Sequence, residues 1–283
     1  MDIRTLMRKL IYNVFKLIPR QKIIPADVEI DIIIPLIQKD LIILPLCIEG
    51  IRNCITHNFY EIYIVAPKDE LILDYCKKLN LVFIDETSIF GYAPNELKIF
   101  TGNNKNNRSG WIFQQLIKLS GVIGKNRYFL CIDADHVLIK KHSFISSCNK
   151  HIFYQSPEYH KPYYDIIQKL FRNKKYPDSC LSYISHKMIF DKIELSKLQK
   201  SLSELHNANW ISVIINSLDF NEDSGFSEFE MYGSYINKNM KILRLWKNIN
   251  LLRNKTYSYD EISKLYSRKF NAVTFPEHLN HIS

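Results

Sequence analysis

Asp133-Ala134-Asp135 directly follows the apolar run Tyr128 to Ile132 (YFLCI), so two carboxylates meet at the end of a segment that reads as a buried strand. Like charges this close are costly unless a cation neutralises them. Hard oxygen ligands suit Mg2+ or Mn2+, ions that keep waters and bind through one or two carboxylates plus substrate phosphates. The chemistry that follows is stabilisation of the negative charge that grows on a phosphate leaving group as its bond breaks. A lone D-x-D triplet is expected about once by chance in a chain of this length. Its place after a buried strand gives it weight over the competing reading, an aspartate that caps the next segment.

The elements around this triplet decide whether it reaches a ligand. Val28 to Leu36 (VEIDIIIPL) is a β-branched run of the kind that forms a buried parallel strand, and Pro35 should close it. Asp40 to Asn53 reads as helix, Glu61 to Ala66 as strand, Asp69 to Leu79 as helix and Leu81 to Ile84 as strand. Asn95 to Gly110 is polar and turn-prone and reads as a surface loop, followed by a helix from Trp111 to Ser120. This alternation predicts an α/β fold with an open, mainly parallel sheet, helices on both faces and an elaborated C-terminal half. Right-handed crossovers bring the carboxyl ends of the strands to one edge, where open sheets bind ligands.

Composition narrows the partners. The 283 residues are 46% hydrophobic, enough for a full core, and 38 basic against 29 acidic residues leave a formal charge of +9. That charge favours anionic partners such as nucleotides, phospholipid headgroups or polyanionic glycans. No basic run interleaved with aromatics and no zinc-finger or RRM signature occurs, which argues against nucleic acid. The six cysteines show no C-x-x-C pairing, so a reducing cytoplasm is expected. Residues 1–22 read as a basic amphipathic helix ahead of a single domain, residues 23–283. The helix has two readings: a peripheral contact at the inner face of the cytoplasmic membrane, or an ordinary terminal helix docked on the domain.

Three blocks are similar to a known family: Gly110 to Leu119 (GWIFQQLIKL), Tyr128 to Asp135 (YFLCIDAD) and Phe226 to Gly233 (FSEFEMYG). Through them the chain resembles the DUF6492-type GT-A glycosyltransferases of bacterial surface-polysaccharide gene clusters, over roughly Asp31 to Tyr235. The resemblance implies a GT-A-like fold and transfer of a sugar from a nucleotide-sugar donor to a saccharide or lipid-linked acceptor, in surface-polysaccharide or lipopolysaccharide synthesis. It implies Mn2+ or Mg2+ on Asp133 and Asp135.

The resemblance also distributes roles. On the helix after Gly110, Trp111, Gln115 and Lys118 share one face with Gln114 beside them, and they are expected to face the donor. Lys118 would offset phosphate charge and the glutamines would bond base or sugar hydroxyls; the competing reading is a solvated face with Trp111 as packing anchor. Glu228, in a first turn capped by Ser227, is the candidate base for an inverting transfer, with the helix dipole as its alternative explanation. His186 is expected on the acceptor side, or else as a partly buried histidine bonded to backbone; Glu230 on the acceptor side, or else as a structural acid, more so than Glu228; Asp40 at the base or ribose, or else as the cap of the next helix; and His278 as a further metal or phosphate ligand, or else as an exposed terminal histidine. Two other functions share the motif: a metal-dependent nucleotidyltransferase or phosphohydrolase, and a non-catalytic carbohydrate-binding relative.

Overall fold

The computed structural model describes residues 3–19, 21–172 and 180–277. Helix α1 (Ile3–Leu17) precedes strand β1 (Ile30–Pro35), α2 (Leu44–Cys54), β2 (Ile62–Ala66), α3 (Glu70–Leu79), β3 (Val82–Asp85) and a short α4 (Thr87–Phe90). A two-residue hairpin, β4 (Phe100–Thr101) and β5 (Asn106–Asn107), leads to α5 (Ser109–Ser120), β6 (Tyr128–Ile132), β7 (His136–Leu138), β8 (His151–Gln155) and α6 (Lys161–Leu170). The remainder is β9 (Lys187–Asp191), α7 (Lys192–His206), α8 (Trp210–Ser217), α9 (Glu228–Tyr235), β10 (Lys241–Leu245), β11 (Asn248–Asn250), α10 (Tyr259–Tyr266) and β12 (Ala272–Thr274).

The central sheet runs β3-β2-β1-β6-β9. Its first four strands are parallel and β9 is antiparallel to β6, so the protein is a mixed α/β fold with a mainly parallel sheet flanked by helices. Every residue of β1, β2, β6 and β9 is buried, which is why β2 and β6 read as continuous apolar runs and β1 as one broken only by Asp31, without alternation. The chain builds outward from β1 through β2 to β3 and then returns to place β6 on the other side of β1. That reversal leaves a crevice between the carboxyl ends of β1 and β6, the place where open sheets of this kind hold ligands.

Close contacts fix both strands that border the crevice. Gly124 takes φ +74, and a Cβ there would lie 2.1 Å from Asp31 Oδ2 in β1. The buried Asp31 carboxylate accepts from the Asn126 backbone N–H at 2.8 Å and its side-chain amide at 2.9 Å, which ties the turn before β6 to β1. After β6, α2 presses against β7 at Gly50, where a Cβ would stand 2.7 Å from the Leu138 carbonyl oxygen. The turn that carries Asp133 and Asp135 is thus held from both sides. Smaller sheets complete the second half: β10 with β8, and β11-β12-β7. The helix expected over Asp40 to Asn53 begins at Leu44, because Gln38–Asp40 forms a 3-10 turn and Pro45 takes the first turn of α2.

Candidate functional site

Asp133 follows β6 and His186 immediately precedes β9. Because the two strands are antiparallel, with Ile132 opposite Lys187, the end of one and the start of the other coincide. His186 adopts φ 57, uncommon for a residue other than glycine. From there its carbonyl accepts from the Asp133 backbone N–H at 2.9 Å, and its Nδ1 stands 3.0 Å from Asp133 Oδ2. Asp133, Asp135 and His186 each offer an atom within 4.8 Å of the others. Asp135 is pinned through its backbone, whose carbonyl accepts from Phe275 N–H at 2.9 Å just beyond β12.

On the other side of Asp133, α5 sends in Lys118, which is 7% exposed. Its Nζ donates to Asp133 Oδ1 at 2.8 Å and lies 2.8 Å from Glu228 Oε1 in the first turn of α9. Burial opposes the charge on Lys118, but the two carboxylates more than offset it and hold its pKa above the ordinary lysine range. Burial likewise works against an ionised Asp133, and Lys118, then His186, overcome it, so its carboxyl sits well below the usual carboxylate range. Burial also disfavours a charged His186, yet Asp133 first and Asp135 and Glu158 after it push its pKa up.

Asp135 behaves oppositely. Burial raises its pKa to about 6, with Asp133 and Asp40 adding to the rise and His186 and Arg253 opposing it. Arg253 binds both acids, donating from Nη1 to Asp40 Oδ1 at 2.7 Å and from Nη2 to Asp135 Oδ2 at 3.2 Å. Two chemically different carboxylates therefore stand side by side, one firmly ionised and one close to titrating.

These groups line one cleft of about 700 Å³, together with Trp111, Gln114, Arg108 and Tyr163. Gln115 Oε1 accepts from the Glu228 backbone N–H at 3.1 Å, which leaves the buried Nε2 without a protein partner. Arg108, with its guanidinium 4.2 Å over the Trp111 ring, has its buried Nε in the same condition. Buried donors left open at a cleft wall are groups that a polar ligand satisfies. The Asp133, Asp135 and His186 set, two carboxylates and an imidazole, could hold a divalent cation.

Residues 27–279 match a family described as a family of unknown function, DUF6492. The chain belongs to DUF6492. All the residues of the cleft named above fall inside the matched span, whereas α1 lies outside it. No curated protein matches this DUF6492 chain in sequence. Among solved structures, mouse xyloside xylosyltransferase 1 in its apo form is similar over 89% of this chain and 99% of its own, at 10% identity and a TM-score of 0.47.

Of the residues singled out in the sequence, the structure brings Asp40, Gln114, Gln115, Lys118, Asp133, Asp135, His186 and Glu228 to the cleft. Glu230 does not line the cleft. It is fully buried, and its carboxylate accepts from Tyr164 Oη at 2.6 Å, Ser182 Oγ at 2.7 Å and the Tyr183 backbone N–H at 2.9 Å. Two positions along a helix are roughly 200° around its axis, so Glu228 and Glu230 face opposite ways. His278 lies outside the described residues. Arg253 has no spacing signal in the sequence, and only the fold brings it to the carboxylates, whereas Arg108, the N-cap residue of α5, reaches the Trp111 ring three positions on by local helix geometry.

Proposed function

We propose that this protein is a metal-dependent glycosyltransferase of the GT-A type, which moves a sugar from a nucleotide-sugar donor to a saccharide or lipid-linked acceptor. The reading is supported above all by one observation. The Asp133, Asp135 and His186 cluster and the Lys118–Glu228 pair share one cleft at the reversal point of the sheet.

Asp133, Asp135 and His186 would hold Mn2+ or Mg2+, which would supply Lewis-acid neutralisation of a departing diphosphate. The chain's own residues do the rest. Lys118 keeps Asp133 ionised and ready as a ligand, and it fixes the Glu228 carboxylate beside it. Glu228 Oε2, the oxygen not held by Lys118, takes the proton of an acceptor hydroxyl in an inverting transfer and orients the sugar in a retaining one. The open Nε2 of Gln115 and the Gln114 amide hydrogen-bond donor hydroxyls, and Asp40 bonds the base or ribose. Arg253, bonded to Asp40 and Asp135, would exchange Asp135 for phosphate oxygens of the donor, to which its guanidinium is a bidentate match.

The acceptor belongs to surface-polysaccharide or lipopolysaccharide synthesis in a bacterial cytoplasm, and α1 gives the catalytic domain a peripheral contact with the membrane where lipid-linked acceptors reside. Thermal shift with a panel of nucleotides and nucleotide sugars, with and without Mn2+, tests the assignment on the native chain and on Asp135→Ala. Metal-dependent stabilisation by one nucleotide class that disappears in Asp135→Ala is the expected result. No response to any nucleotide would refute it.

A further inference from the structure

A helix that docks for packing alone buries its apolar stripe. Helix α1 packs Tyr12, with Ile11 and Phe15 beside it, on Leu181 and Leu245, and it also turns a second apolar stripe outward. Arg8 and Tyr12 are its buried residues, and they face the protein. Arg4 donates to Tyr159 Oη at 2.7 Å and Arg8 to Tyr164 Oη at 2.8 Å, with the Arg8 guanidinium 4.9 Å over each tyrosine ring. Ile3, Leu6, Leu10 and Leu17 are 71%, 54%, 66% and 83% exposed, and Met7 and Val14 extend the same outward stripe at helical spacing. An apolar stripe held outward by arginine–tyrosine contacts is an interaction surface.

The end of this helix forms one wall of a second cavity, about 460 Å³, which shares no lining residue with the catalytic cleft. Five basic side chains line it, Lys16, Lys22, Lys141, Arg244 and Lys247, and no acidic one does. The partners they have are neutral: Lys16 reaches Asn13 Oδ1 and stands 4.5 Å over the Tyr12 ring, Lys141 reaches the Asn53 carbonyl and Arg244 the Gln21 carbonyl. Among the described residues no ion pair joins any of the five to a carboxylate. Positive charges gathered this way repel one another until an anion enters. Phe15 and Ile18, beside Lys16, give the same wall an apolar part that continues toward the exposed stripe.

We propose that α1 lies in a membrane interface with its Ile3 to Leu17 stripe among the acyl chains, and that the basic cavity receives the phosphate of an anionic phospholipid headgroup. Charge complementarity selects this occupant: a neutral surface or an apolar protein partner would cover the stripe and leave five basic groups uncompensated. The inference rests on the peripheral contact proposed for α1, and it is independent of which reaction the cleft performs.

Co-sedimentation with vesicles tests it, using phosphatidylcholine alone and phosphatidylcholine with added phosphatidylglycerol. The native chain binds the anionic vesicles and only weakly the neutral ones. Lys22→Gln/Lys247→Gln lowers affinity for anionic vesicles by roughly 25- to 30-fold, about fivefold for each basic group near the surface, and leaves neutral vesicles unaffected. Leu6→Ser/Leu10→Ser abolishes binding to both. Equal binding of the native chain to the two vesicle types, or no binding, overturns the proposal. So does a dimer in sedimentation velocity that Leu6→Ser/Leu10→Ser converts to monomer, since a second copy would then cover the stripe. Both variants keep the Mn2+-dependent thermal shift with nucleotide, so failure at the vesicle and failure at the cleft are read separately.

Discussion

Replacing Lys118 by methionine removes the ammonium that bridges Asp133 and Glu228 while filling much of its volume. Lys118 is 7% exposed and stands 2.8 Å from an oxygen of each acid. A unit pair at about 3 Å and an effective dielectric of about 20 attracts with roughly 6 kcal/mol. Asp133 keeps 30% of its side chain exposed, so solvent screens a good part of that attraction. Removal of one partner from a buried pair costs about 3–5 kcal/mol, and screening sets the expected value at the lower end, about 3 kcal/mol. For a chain of this size that is a fall in Tm of roughly 6–10 °C at neutral pH.

The pH dependence has a definite sign. Asp133 is held below its unfolded pKa, so its stabilisation is complete above about pH 4 and is lost only as pH falls through the lower folded value. Without Lys118, His186 alone opposes the effect of burial, and Asp133 takes up its proton at a higher pH. The gap between native protein and Lys118→Met is therefore widest at pH 7 and narrows toward pH 4. Mn2+ restores positive charge beside Asp133 and raises the Tm of Lys118→Met more than that of the native protein. Scanning calorimetry at pH 4, 5.5 and 7, with and without Mn2+, reads all three effects. A Tm at pH 7 within about 2 °C of the native value would refute the electrostatic role given to Lys118.

Asp135, with its pKa raised to about 6, and His186, with its pKa also raised, each exchange a proton for the cation, so Mn2+ affinity measured by calorimetry falls more than about tenfold between pH 7 and pH 5; a flat profile would remove both from the ligand set. Arg253→Gln takes a positive charge from 3.2 Å of Asp135 Oδ2, which tightens Mn2+ binding in the absence of nucleotide and weakens nucleotide binding in the presence of Mn2+. Movement of both affinities in one direction would contradict the exchange of partners proposed for it. Glu228→Gln keeps nucleotide binding and loses at least about 100-fold in turnover, on the scale of a removed general base. Glu230→Gln weakens the fold through the bonds to Tyr164, Ser182 and Tyr183 and leaves nucleotide binding in place. The reverse pattern would exchange the two glutamates' roles.

The parallel sheet was readable because its strands are buried on both faces, and burial of that kind writes itself as β-branched runs such as IDIIIP and IYIVA. The cap of α9 was equally readable, since Ser227 and the acids after it obey a local rule, and Ser227 Oγ accepts from the Glu230 N–H. Residues brought together by strand pairing were harder. His186 meets Asp133 because β9 runs antiparallel to β6, and no local pattern announces an antiparallel edge on a parallel sheet. Arg253 reaches Asp40 and Asp135 from more than a hundred residues away through the placement of β11 and β12, a packing outcome with no periodicity. The amphipathic character of α1 was plain in its composition, but which face turns inward depends on Tyr159 and Tyr164, which only the fold supplies.

The most direct measurement of the central claim is product analysis by mass spectrometry after incubation with Mn2+ and a panel of nucleoside-diphosphate sugars, for the native chain and Asp135→Ala. The account predicts nucleoside diphosphate together with free or transferred sugar from one donor, and none from Asp135→Ala. Nucleoside monophosphate together with sugar phosphate would contradict it and assign the cleft to phosphoryl transfer.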